Sequence, residues 1–212
     1  MLPEMDERIQ AAAETIEQAL VEVHKDDRGV HVNTLICTCA AILGEAVQRI
    51  CMTDEQLYGD RGVLYNEATD YWLWGADDGN VIDFIAFTAG EVGLTPERMP
   101  DIDVICRTTI AAMGKAEIPA LTVPDDQRPQ FWSMAGATFM RKQMLEIYQR
   151  FDLKADEALL AMTLTLCRFL NATQNVLKPE IGFRLALETL IGSVRLHPVS
   201  QEDLDRMTQK PQ

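Results

Sequence analysis

Apolar residues recur at helical spacing along most of this chain. Met5, Ile9, Ala12, Ile16, Ala19 and Val23 follow one another at steps of four and three, an a/d heptad seam that predicts a helix over 4–24. Glu4, Glu7, Glu14, Glu17 and Glu22 lie off the seam. So narrow a stripe packs along one partner, either another helix of the fold or the same helix of a second copy, so a homodimer is expected. Asp26-Asp27-Arg28-Gly29 reads as a turn. Val32, Leu35, Cys39, Ile42, Ala46 and Ile50, widened by Ile36, Leu43 and Val47, predict a helix over 30–51. The same reasoning predicts helices over 80–93, 101–113 (stopping at Gly114), 130–151, 155–175 and 179–195. The 155–175 segment is apolar nearly all round and is expected to be the central buried helix.

Punctuation between these segments is local and specific. Thr53 to Gln56 fits a capping box, and Ser200 to Asp203 caps a short last helix. Thr95-Pro96-Glu97 starts a brief helical turn. Pro119, Pro124 and Pro129 mark 115–130 as an irregular connector. The fold expected is all-α: one compact, bundle-like domain of about seven main helices, with 30–51, 155–175 and 179–195 as its core.

A weak internal echo runs through the pattern. At an offset of 126, Glu45-Ala-Val-Gln48 aligns with Asn171-Ala-Thr-Gln174; at an offset of 99, Ile82-Asp-Phe84 aligns with Ile181-Gly-Phe183. The helices at 4–24, 30–51 and 80–93 would then repeat as 130–151, 155–175 and 179–195, in halves 1–114 and 129–199 joined by 115–128. The first half carries 27 extra residues between its second and third helices.

Those extra residues fall in the segment 53–80, which interrupts the helical pattern. It holds Tyr58, Tyr65, Tyr71, Trp72 and Trp74, and Gly59, Gly62, Gly75 and Gly79 punctuate it. Residues 63–74 read as a helix in preference to a hairpin about Asn66 to Thr69. The cluster can form a packed lid on the bundle, the commoner fate of large aromatics, or a recognition surface. In the second case Tyr65, Tyr71, Trp72 and Trp74 supply contact area, and Asp70, Asp77 and Asp78 supply an acidic rim.

Charge sharpens this picture. The net charge is −14, of which residues 53–103 carry −10, while 131–197 carry +2. Such a balance argues against nucleic acid or an anionic membrane as partner, since phosphate contacts need clustered Lys and Arg. A basic protein partner fits the acidic third. The chain opens directly on an amphipathic helix without a basic leader, and the nearly uncharged stretch Ala158–Cys167 is too short to span a bilayer. The five cysteines sit mostly in apolar helical patterns, as small buried hydrophobes of a reducing cytoplasm.

Catalytic motifs are sparse. His24, His31 and His197 are scattered, and neither E-x-x-H nor C-x-x-C occurs. Cys37 and Cys39 point in nearly opposite directions on a helix, away from shared ligation with His31. There is no G-x-S-x-G, Walker A or G-x-G-x-x-G, and no cofactor is implied. Glu14-Thr-Ile-Glu17 and Glu67-Ala-Thr-Asp70 each place two carboxylates on one helical face. This E-x-x-E plus E-x-x-D pattern resembles the Mg²⁺ site of the all-α nucleotide pyrophosphohydrolases, where the pairs lie on neighbouring helices; here 49 residues separate Glu17 from Glu67. The resemblance implies a metal-dependent phosphohydrolase using Glu14, Glu17, Glu67 and Asp70. The leading expectation is a non-enzymatic binding or regulatory protein acting through 53–80. A small-ligand carrier with an apolar interhelical pocket is the third reading.

Overall fold

The computed structural model describes residues 6–58, 67–75, 79–113 and 120–209. Its helices are α1 (Glu7–Val23), α2 (Val32–Cys51), α3 (Asp54–Tyr58), α4 (Glu67–Trp74), α5 (Val81–Glu91), α6 (Ile102–Met113), α7 (Ser133–Arg150), α8 (Ala155–Ala172), α9 (Pro179–Arg195) and α10 (Gln201–Gln209). The fold is all-α but for a two-stranded ribbon, β1 (Lys25–Asp26) and β2 (Gly29–Val30), closed by a two-residue turn before Gly29 at φ +114°. Helix starts follow local chemistry. Asp6 caps α1 by accepting from the Arg8 amide, Asn80 caps α5 by accepting from the Asp83 amide, and Pro179 supplies a preset φ at the first turn of α9. Thr53 and Gln56 bond reciprocally at the head of α3, and Ser200 accepts from the Asp203 amide at the head of α10.

α2 is the hub, packing on α7, α8 and α9. Its residues 33–45 are all buried. The central place expected of 155–175 therefore belongs to α2, although α8 is also largely buried. α2 is long and apolar enough to cross a membrane, unlike Ala158–Cys167, and 78% of its apolar window is buried inside the protein. The backbones approach closely at two glycines. A Cβ on Gly44 would collide with Ser193 of α9, and one on Gly136 of α7 would stand 2.8 Å from the Phe131 ring and 2.9 Å from the Thr38 hydroxyl.

The heptad seam of α1 is used within the fold. Ile9, Ala12, Ile16 and Leu20 are buried, and α1 packs on α8 and α7; Val23, at the end of the seam, is 44% exposed. The seam therefore meets its partners within the same chain.

Several of the helix packings follow the exchange suggested by the two offsets. α1 lies on α8 as α7 lies on α2, and α5 lies on α8 as α9 lies on α2. The contacts α2–α8, α1–α7 and α5–α9 map onto themselves. α3 and α4 fill the interval between α2 and α5, against the α2 side of the bundle.

Candidate functional site

α4 has two sides. Thr69 and Leu73 are buried, whereas Tyr71 is 52% exposed. The inward side is pinned by Arg195 at the end of α9, whose side chain is only 6% exposed. Arg195 pairs with the Asp70 carboxylate, donates to the Thr69 hydroxyl at 3.1 Å, and lies 5.8 Å from the centre of a Trp74 ring. Asp70 and Trp74 thus hold α4 on the bundle. Asp70, expected on an acidic rim, is the carboxylate that this buried guanidinium needs.

Tyr71 faces outward, and Trp72 beside it packs partly against the core. Their rings meet edge to face at 5.9 Å and 83°. Trp72 is half-buried and lines a groove of about 250 Å³ with Val81, Phe84, Leu159, Leu160 and Thr163. Tyr58, Asp54, Glu55, Glu67 and Asp83 are exposed on α3, α4 and α5. Tyr65, Asp77 and Asp78 lie outside the described residues. The aromatic segment therefore divides between packed side chains (Leu73, with Trp72 and Trp74 partly buried) and an outward one (Tyr71).

Beside it, a second constellation was missed in the sequence. Glu45 of α2 is 6% exposed. Arg141 of α7 donates to it through Nε at 2.5 Å and Nη2 at 3.0 Å, and Arg49, one turn along α2, donates through Nη2 at 2.9 Å. Arg49 Nη2 also donates to the Tyr58 hydroxyl at 2.7 Å, and the Arg141 guanidinium sits 5.6 Å from the Tyr58 ring. Burial, with Glu45 nearby, raises the Tyr58 pKa, so its phenol is neutral at ordinary pH. Burial works against the Arg49 charge, but Glu45 outweighs it and raises the Arg49 pKa. Gln48, fully buried on the same helix, donates through Nε2 toward the carbonyls of Ser193, Val194 and Leu196 and so satisfies the end of α9. His197 Nδ1 bonds the Leu57 carbonyl at 2.8 Å, tying α3 to the same end of the bundle. A further buried carboxylate, Glu188 of α9, accepts from the Thr122 amide at 2.8 Å and anchors the connector. One sequence signal was available: Glu45 and Gln48 interrupt the inward face of an otherwise apolar helix, and Arg49 stands four residues from Glu45.

The paired carboxylates do not meet. Glu14 and Glu17 face Arg168 of α8, each at 3.8 Å, while Asp70 is taken by Arg195 on α9. Among the described residues no three His, Cys, Asp or Glu side chains gather as metal ligands. His31 caps α2 through Thr34, and Cys37 and Cys39 are buried. Two of the serines serve backbone: Ser193 donates to the Leu190 carbonyl and Ser200 caps α10. Burial raises the Cys37 and Cys167 thiols to about 11 and pushes Cys39 well up, so these sulfurs stay protonated and inert.

The chain matches no protein-family model, and neither a curated relative nor a similar solved structure is found for it.

Proposed function

We propose that this chain is a binding protein that recognises a basic polypeptide segment through the outward face of α4. One observation carries the reading: Tyr71 is 52% exposed on a helix whose other side is held by a buried arginine. A large aromatic on a rigid mount loses little entropy on binding, which is what an anchor residue needs. The groove beside Trp72 accepts an aliphatic side chain, and Asp156 in its wall, with the exposed Glu67 and Asp83 on α4 and α5, attracts Lys and Arg. The net charge of −10 over 53–103 adds steering toward a cationic partner.

The test is a titration with a synthetic Lys- and Leu-rich peptide, followed by intrinsic tryptophan fluorescence. Saturable binding that weakens as salt is raised, and falls about tenfold or more in Tyr71→Ala, supports the reading. Equal binding of a peptide with Glu in place of each Lys, or no effect of Tyr71→Ala, refutes it.

A further inference from the structure

Between α2 and α7 lies a small cavity of about 30 Å³, and beside it a larger groove of about 420 Å³ runs to the start of α8. The two share Ala46, Arg49, Leu145 and Tyr148 in their walls. The groove's volume is within the range of small-molecule sites, about 300–1,000 Å³. Its body is apolar, made by Leu145, Leu153, Ala155 and Ala158 with the Tyr148 ring.

The charges along this path are Arg49, Arg141 and Lys154 against Glu45 and Asp152, an excess of one positive charge in a chain of net charge −14. Both guanidiniums keep donor capacity. Arg141 spends Nε and Nη2 on Glu45, Thr138 and the Val199 carbonyl, and its Nη1 has no acceptor among the described residues. Arg49 spends Nε and Nη2 on Glu45 and Tyr58, and its Nη1 faces only Asp54, an exposed carboxylate 3.6 Å away. Tyr148 lines both the cavity and the groove, and its hydroxyl is closed to solvent, so its ring is what the groove offers a ligand. Guanidinium nitrogens with spare donors beside an apolar groove suit an anionic acceptor.

We propose that this groove binds an organic anion with an aliphatic body, its carboxylate against Arg141 and Arg49 and its chain along Leu145, Leu153 and the Tyr148 ring. The site is separate from the α4 face and stands or falls independently of the peptide reading.

Isothermal titration with decanoate, and with decyltrimethylammonium as an equally long cation, tests it. Decanoate should bind saturably at one site and the cation should not. Arg49→Gln should weaken decanoate about tenfold through loss of a charged hydrogen bond. Ala46→Phe fills the groove and should abolish binding, and Lys154→Gln, on the exposed rim, should weaken it. If Arg49→Gln fails to fold by circular dichroism, Ala46→Phe and Lys154→Gln carry the test. The proposal is overturned if decanoate shows no saturation, if the cation binds equally, or if folded Ala46→Phe binds decanoate as the parent does.

Discussion

The crossing of α7 over α2 and the crossing of α1 over α8 correspond when the two offsets exchange the halves, yet they treat charge in opposite ways. At the first, one buried carboxylate, Glu45, is held by two arginines with donor distances of 2.5 to 3.0 Å for Arg141 and 2.9 Å for Arg49. At the second, one half-exposed arginine, Arg168, lies between Glu14 and Glu17 at 3.8 Å from each. By the offset of 126, Glu45 corresponds to Asn171 and Arg168 to Ile42, so neither cluster is copied across. The comparison separates two uses of charge. A carboxylate out of water must be paired at hydrogen-bond distance, and its partners become fixed architecture. An arginine at the surface needs no such geometry, because solvent screens it.

The largest test of that contrast is Glu45→Ala. It leaves Arg141, only 16% exposed, without its carboxylate, and the expected loss is about 3–5 kcal/mol in urea or thermal unfolding. Gly136→Ala comes next. The new Cβ presses on the Phe131 ring and Thr38 where α7 crosses α2, so unfolding free energy should fall by about 1–3 kcal/mol.

Acid should act through His24, which lies beside the first crossing. Its Nδ1 donates to the Leu20 carbonyl, its Nε2 accepts from the Thr38 hydroxyl, and its ring stacks on Phe131. Burial lowers its pKa below the ordinary 6.5. The unfolded chain therefore takes up the proton first. His24's contribution is complete above about pH 6.5 and declines as pH falls through that value, until both states are protonated. Denaturation measured at pH 7.5 and pH 5.5 should show lower stability in acid, with a smaller difference in His24→Gln.

The smallest effect belongs to the other crossing. Arg168→Ala should change stability by about 1 kcal/mol or less, and the difference should shrink further at high salt.

The sequence made the helices legible because each carried both a stripe and a stop signal. The 179–195 helix was read at both ends, since Pro179 starts it. The 155–175 helix was read three residues too long: Thr173 bonds back to the Phe169 carbonyl, and the amides of Val176 and Leu177 then turn onto Thr173. The ribbon at 25–30 escaped because two residues per strand carry no periodicity. For the candidate site, the aromatic segment was found but its roles were not. Asp70 and Trp74 read as recognition residues because their partner, Arg195, lies 125 residues away from Asp70 in sequence. The Glu45 cluster was hidden for the same reason, since Arg141 comes from another helix 96 residues on. Local pattern shows which helix face is inward; it does not show which charged side chains meet there.

A pair of double-mutant cycles tests the contrast most directly: Glu45→Gln with Arg141→Met, and Glu17→Gln with Arg168→Met, each read by urea unfolding. The account predicts a coupling of about 2 kcal/mol or more for the first pair and about 0.5 kcal/mol or less for the second. Equal couplings, or a weaker one at Glu45, would contradict it.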